Sequence, residues 1–112
     1  MKRGEIWRVN LPTVPGHPQS GIRPAVIVQE DRATASLPTV LIVPFTGTKA
    51  ATRFPGTLAV QPDAQNGLTM PSVALVFQLT AIDKSNCLQL LGVLDPATLD
   101  QLFAALDKLT GR

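Results

Sequence analysis

The sequence predicts a mainly β domain that is closed by one C-terminal helix. Its short apolar segments, rich in β-branched residues, alternate with loops rich in Gly and Pro, a pattern typical of a small β-barrel or rolled sheet. Near residue 95 the apolar residues change to helical spacing. With 112 residues, of which 45% are hydrophobic, the chain can bury one core. We therefore expect residues 1–112 to form a single domain, a small and partly open β-barrel.

The strand predictions follow the apolar pattern along the chain. The first segment, EIWRVNL at residues 5–11, alternates apolar and polar residues, as a half-buried strand does. The other predicted strands are residues 23–29, 39–45, 57–61, 72–79 and 88–94. The connections between them are a Pro/Gly loop at 12–22, one helical turn near 30–36, a basic loop at 46–56 and the segment PDAQNG, whose Asn66-Gly67 pair suits a tight reversal.

The C-terminal segment has the features of an amphipathic helix. Asp95 is a good N-cap, Pro96 suits the first helical position, and Gly111 stands where a helix end belongs. The apolar residues at helical spacing are Leu99, Leu102, Phe103, Leu106 and Leu109. This face is expected to pack on the sheet.

Composition excludes several classes of protein. One cysteine, Cys87, and one histidine, His17, exclude an internal disulfide and a cysteine-clustered zinc site, and they leave few ligands for any metal. No apolar run is long enough for a membrane helix, and the basic N-terminus lacks the apolar stretch of a signal peptide. We therefore expect a soluble, cytoplasmic protein.

Charge is unevenly distributed along the chain. Residues 1–56 carry a net charge of +4 and residues 57–112 a net charge of −2, which together give the formal +2. A basic face in the first half would attract a polyanion, whereas scattered solubilising charge is the alternative interpretation.

Two polar residues stand where predicted core strands meet loops. Arg23 directly precedes one strand and Thr46 directly follows the next, so both lie at the same end of the sheet if these strands are antiparallel neighbours. An arginine beside hydroxyls and an imidazole suits phosphate recognition. The alternative is that Arg23 is an edge charge paired with Glu5 or Asp31 and that Thr46 is a simple strand former. The loops beside them carry His17, Gln19, Ser20, Thr48, Lys49, Thr52 and Arg53.

Four segments together resemble the MazF/PemK (Kid-like) toxins of bacterial toxin–antitoxin pairs. They are RGEIW at 3–7, GHPQSGIRPAVIV at 16–28, TVLIVPFT at 39–46 and IDKSN at 82–86, and the resemblance extends from residue 2 to about residue 109. It implies an SH3-like barrel of the MazF/CcdB type, a homodimer and a cognate MazE-like antitoxin. It also implies an endoribonuclease that needs neither metal, cofactor nor ribosome and that cuts single-stranded RNA at short sequences, leaving 2′,3′-cyclic phosphate and 5′-hydroxyl ends.

The resemblance also implies roles for individual residues. Arg23 matches the arginine that stabilises the phosphorane or donates a proton, and Thr46 matches a threonine that holds the 2′-hydroxyl or a phosphate oxygen. His17 matches a loop residue that contacts RNA. The residues expected beside the RNA are Gln19, Ser20, Thr48, Lys49, Arg53 and Gln78.

The sequence departs from the family pattern where a carboxylate base is usual. Pro18 and Phe77 stand at two positions that are acidic in many members, and Leu75 replaces the arginine of Kid-like members. His17 is then the candidate general base, because its unperturbed pKa of about 6.5 suits proton transfer near neutrality. The alternatives are a degenerate toxin, a CcdB-like gyrase poison and an RNA-binding barrel without cleavage. Arg23 and Thr46 favour the nuclease, whereas Pro18 and Phe77 favour the alternatives.

Overall fold

The computed structural model describes residues 1–12 and 21–112. The strands are β1 (Glu5–Leu11), β2 (Gly21–Ile27), β3 (Thr39–Thr46), β4 (Thr57–Val60), β5 (Ser72–Leu75), β6 (Thr80–Asp83) and β7 (Cys87–Val93). The α-helices are α1 (Asp31–Ser36) and α2 (Pro96–Thr110), and short 3-10 turns span Lys49–Arg53, Val76–Gln78 and Lys84–Asn86. The mainly β fold with a C-terminal helix is therefore confirmed.

All strand pairs are antiparallel, in the order β4-β5-β3-β2-β1-β7, with β6 paired to β3. Along this path the strands at the two ends, β4 and β7, do not pair with each other, so the described sheet is an open barrel. Apolar side chains fill it in two clusters. The larger includes Ile6 and Phe45, and the smaller includes Val9 and Ile42. Burying each such side chain contributes about 1.5–3 kcal/mol.

Helix α2 covers the larger cluster and ends as the sequence predicts. Leu99 and Leu102 are buried there, and the backbone N–H of Thr98 donates to the Asp95 carboxylate at 3.1 Å. Gly111 adopts φ 79°, a left-handed conformation that glycine tolerates without strain. Neither α-helix of the described ranges combines the length and the apolar composition that crossing a bilayer requires.

The predicted continuous strand at 72–79 is wrong. β5 ends at Leu75, the turn Val76–Gln78 follows, and β6 begins at Thr80. β5 and β6 pair with the same strand, β3, but Thr46↔Val73 and Ile42↔Thr80 differ in register by three residues. The turn accommodates these extra residues, and an unbroken apolar run does not indicate such an interruption. As a result Phe77 is exposed while Gln78 is buried.

The Asn66-Gly67 pair does not form a tight hairpin turn. It lies in the loop of residues 61–71 that joins β4 to β5, and this loop packs closely on β7. A Cβ atom at Gly92 would lie 2.2 Å from the Gln65 carbonyl oxygen, and one at Gly67 would lie 2.2 Å from that of Leu91. Such distances are shorter than any normal contact, so the close approach of the two backbones requires glycine on both sides.

Candidate functional site

The start of β2 and the end of β3 lie side by side. Ala25 pairs with Pro44 in the antiparallel ladder, and the same register continued by two residues places Arg23 opposite Thr46. Directly opposed residues project from the same face of a sheet. The sequence placed Arg23 and Thr46 at the same end of the sheet only if their strands are antiparallel neighbours, and β2 and β3 are.

Arg23 and Thr46 line one cavity of about 240 Å³, which we call the Arg23 cavity. The loop of residues 61–71 forms the opposite wall, with Thr69 and Met70, and Ser72 lies at the start of β5. The polar lining consists of a guanidinium, hydroxyls and backbone groups. These are groups that bind phosphate oxygens.

The guanidinium of Arg23 has unused donors. Nη1 donates to the Phe45 carbonyl oxygen at 3.3 Å, whereas Nε is buried and has no hydrogen-bond partner in the part of the chain that the structure describes. Glu5 accepts instead from Lys2 and Trp7, and Asp31 accepts from the Arg3 backbone. The interpretation of Arg23 as an edge charge paired with one of these acids therefore has no support from the described contacts.

Thr46 is buried, with 7% of its surface exposed, and it lines two cavities. Its Oγ1 accepts the backbone N–H of Thr48 at 3.2 Å. A hydroxyl has one donor and two acceptor positions, so the Thr46 hydrogen can still be donated to a bound oxygen. Thr46 is thus placed to contact a ligand that spans both cavities.

The second cavity, of about 270 Å³, is called here the Phe77 cavity. It lies between the turn Lys49–Arg53 and the turn Val76–Gln78. Three residues expected beside RNA line it, namely Thr48, Arg53 and Gln78. Its other lining residues are Thr46, Ala50, Ala51, Phe54, Leu75 and Phe77.

Gln78 is, with Thr46, one of the two buried polar residues that line this cavity. Only 8% of its surface is exposed, and its Oε1 has no hydrogen-bond partner within residues 1–12 and 21–112. A buried acceptor without a donor costs about 1–3 kcal/mol. A ligand that supplies an N–H or O–H would remove this cost.

The remaining predicted residues do not all join the site. Lys49 is exposed and lines neither cavity. The Thr52 hydroxyl donates to the Lys49 backbone carbonyl at 2.9 Å, and Thr52 lines neither cavity either. His17, Gln19 and Ser20 lie outside the described residues. Sequence reasoning missed Phe54, Thr69 and Ser72 as lining residues and noted Phe77 only as a departure. Only Phe77 had a signal in the sequence that could have marked it as a lining residue, namely its position directly before Gln78, an expected RNA contact.

Among the described residues, titratable groups are sparse in the site. No acidic residue lines either cavity in the described part of the chain. The Thr98 hydrogen bonds lower the pKa of Asp95, those of Ser85 lower the pKa of Asp83, and burial raises the pKa of the Cys87 thiol, but all three residues lie elsewhere. The described residues also contain no group of three His, Cys, Asp or Glu side chains that could hold a metal ion.

The open barrel with an arginine, hydroxyls and an amide at one end is a small β domain with a candidate anion-binding site. Residues 2–110 match the family model described as the PemK-like, MazF-like toxin of type II toxin-antitoxin systems. The chain therefore belongs to this family.

Curated relatives agree with this assignment. The chain is 30% identical over 107 residues to Endoribonuclease MazF of Staphylococcus saprophyticus, covering 96% of this chain and 88% of the relative. It is also 30% identical over 107 residues to Endoribonuclease EndoA of Bacillus subtilis, covering 95% and 90%.

Solved structures share the fold. A crystal structure of MazF from Deinococcus radiodurans superposes with a TM-score of 0.84 at 20% identity, covering 100% of this chain and 97% of that one. An endoribonuclease in complex with its cognate antitoxin, from a mycobacterial species, gives a TM-score of 0.78 at 23% identity, covering 99% and 95%.

Proposed function

We propose that this chain is the toxin of a toxin–antitoxin pair and that it cleaves single-stranded RNA at short sequences without a metal ion. The observation that carries the proposal is the juxtaposition of Arg23 and Thr46 at one cavity. Membership in the toxin family and two relatives named as endoribonucleases support it.

The proposed reaction uses the 2′-hydroxyl of the RNA as its nucleophile. A base removes the 2′-hydroxyl proton, the 2′-oxygen bonds to the adjacent phosphorus, and the bond from phosphorus to the 5′-oxygen breaks. An acid protonates the leaving 5′-oxygen, so the products are a 2′,3′-cyclic phosphate and a 5′-hydroxyl. DNA lacks this hydroxyl, which accounts for the restriction to RNA.

Arg23 is the proposed stabiliser of the charge that develops on the phosphorane. Its Nη1 is anchored on the Phe45 carbonyl and its side chain lines the Arg23 cavity, so a positive charge is held in place for an oxyanion. Thr46 is proposed to donate its hydroxyl hydrogen to a phosphate oxygen or to hold the 2′-hydroxyl. Both roles use groups that are fixed before substrate binds.

His17 is proposed as the general base. The described lining of the two cavities supplies no carboxylate, and His17 is the only imidazole of the chain. General-base catalysis contributes about 10²–10⁴-fold, so a site without it would be slow rather than inert. A His17→Ala variant that cleaves as fast as the wild type would show that the base is another group.

The proposed partners follow from the same assignment. They are single-stranded RNA, a second copy of the chain and a MazE-like antitoxin, and structures similar to this chain include MazE-MazF of Deinococcus radiodurans. RNA as substrate makes the cytoplasm the proposed location. Gln19, Ser20, Thr48, Lys49, Arg53 and Gln78 are the proposed RNA contacts.

The test incubates purified protein with a long single-stranded RNA in EDTA. We expect cleavage that leaves cyclic phosphate ends, and Arg23→Ala should reduce its rate by about 10²–10³-fold. Arg32→Ala is the matched control, because Arg32 is an exposed arginine on α1 and lines neither cavity. Cleavage by the Arg23→Ala variant at the wild-type rate would contradict the proposal.

A barrel that binds RNA without cutting it is the second candidate, favoured by the missing carboxylate and by Phe77. Tight RNA binding with no cleaved product would select it. Intact RNA together with gyrase-dependent DNA damage would instead select a gyrase poison.

A further inference from the structure

We propose that the Phe77 cavity binds one unpaired nucleobase, stacked on Phe77 and hydrogen-bonded to Gln78, next to the reacting phosphate. The inference rests on the proposed RNA substrate and adds two specific roles to it: Phe77 supplies affinity and Gln78 supplies base selectivity.

The aromatic geometry selects Phe77 as the stacking surface. The rings of Phe54 and Phe77 are 5.7 Å apart between centroids and inclined by 51°. A ring inserted between them would need about 7 Å, twice the contact distance of carbon atoms, and parallel planes. The base must therefore stack outside the pair.

Arg53 stacks on the ring of Phe54, the other aromatic residue of the cavity. Its guanidinium carbon lies 4.8 Å from the centroid of Phe54, so one face of Phe54 is already covered. Phe54 thus supports Phe77 and holds Arg53 at the rim of the cavity. Phe77 is itself 41% exposed, so part of its surface is open to a ligand in the cavity.

Gln78 supplies the polar contact at the cavity. It is more than nine-tenths buried, and its Oε1 is an acceptor with no donor among the described residues. The Watson–Crick edges of bases carry N–H donors that are free only when the base is unpaired. The cavity is therefore suited to single-stranded RNA.

The size and position of the cavity agree with one base. Its volume of about 270 Å³ is slightly below the range of about 300–1,000 Å³ that encloses a drug-sized ligand. Ala50 and Ala51 add only small side chains to its lining, and Thr46 lines both this cavity and the Arg23 cavity. A base bound here therefore belongs to a nucleotide beside the scissile phosphate.

The test measures binding separately from cleavage. Short 2′-O-methyl oligomers of adenine, cytosine or uracil cannot be cut by 2′-oxygen attack, so their dissociation constants report binding alone. Phe77→Ala should weaken binding of all three by about 5–150-fold, the range found when a base loses its aromatic platform. Leu37→Ala is the control, an exposed apolar residue that lines neither cavity, and it should leave binding unchanged.

Gln78→Leu tests selectivity. The wild type should bind the adenine oligomer at least about tenfold more tightly than one with N6,N6-dimethyladenine, which lacks the amino donor. Gln78→Leu should reduce this ratio to about twofold or less, and thermal melting of each variant checks its folding. Equal ratios in wild type and variant would overturn the role of Gln78.

Fluorophenylalanine labelling locates the base. The chain has four phenylalanines, and the α2 residue Phe103, which lines neither cavity, serves as the internal reference, whereas Phe45 lines the Arg23 cavity and does not. RNA should leave the fluorine resonance of Phe103 unchanged and shift those of Phe54 and Phe77. Oligomer binding that leaves these resonances unmoved would overturn the proposal even if cleavage occurs, whereas the predicted shifts without any cleavage would support this base site and refute the nuclease.

Discussion

Asn66 is expected to stabilise the wall of the Arg23 cavity, and its replacement by alanine tests this. The side chain is only 1% exposed and makes three bonds to the backbone of its own loop. Nδ2 donates to the Gln61 carbonyl at 2.9 Å, while Oδ1 accepts the N–H groups of Leu68 at 3.0 Å and of Asp63 at 3.2 Å. The same loop supplies Leu68 and Met70 to the cavity.

The size of the effect follows from what these backbone groups lose. The Leu68 N–H is buried and left unpaired, at a cost of about 1–3 kcal/mol, and the two partly buried groups each lose a bond that contributes about 0.5–1.5 kcal/mol. Asn66→Ala should therefore lower the free energy of unfolding by about 2–6 kcal/mol. That is a large part of the roughly 5–15 kcal/mol typical of a domain.

Urea denaturation followed by the fluorescence of Trp7, the only tryptophan, measures this change. Gln65→Ala is the matched control, since Gln65 is exposed in the same loop. Asn66→Asp retains the acceptor but turns the donor toward Gln61 into a second acceptor, so it should also destabilise the protein near pH 7. A loss below about 1 kcal/mol for Asn66→Ala would refute the reasoning.

Three further predictions concern the site, the loop and the helix cap. Thr46→Val should slow RNA cleavage by about 10–150-fold, because it removes the hydroxyl that we propose donates to a charged phosphate oxygen, and a rate within twofold of wild type would contradict this role. Gly92→Ala should destabilise the fold markedly in urea titrations, since its Cβ would meet the Gln65 carbonyl, and wild-type stability would show that the loop can move away. The Thr98 hydrogen bonds lower the folded-state pKa of Asp95, so this carboxylate stabilises the protein above its unfolded pKa of about 3.9 and the contribution is lost as pH falls through the folded value. Asp95→Asn should therefore reduce the fall in the free energy of unfolding as the pH is lowered through this range. A free energy of unfolding that falls equally in variant and wild type would contradict the role of the Asp95 carboxylate.

Several elements could be predicted from local sequence because their causes are local. β1 matches the alternating segment 5–11 residue for residue, and α2 begins after the Asp95 cap and ends at Gly111. Alternation, capping and glycine at a left-handed position act over a few residues, so they can be recognised without the fold.

Other features depend on contacts between distant segments. The break of the predicted 72–79 strand arises because β3 pairs with β5 and β6 in registers three residues apart. The burial of Asn66 arises because its loop packs against β7, which a turn-forming Asn-Gly pair does not reveal. A local apolar pattern does not indicate how distant segments pair in register or pack against each other.

The candidate site divides in the same way. Local sequence, with the family resemblance, was enough to single out Arg23 and Thr46, because polar residues at the ends of apolar strands are recognisable as such. Tertiary structure decided that the two share a cavity, that Gln78 is buried beside the exposed ring of Phe77, and that Lys49 lines neither cavity. The physical reason is that a strand sets the direction of its side chains locally, whereas a cavity exists only where separate segments meet.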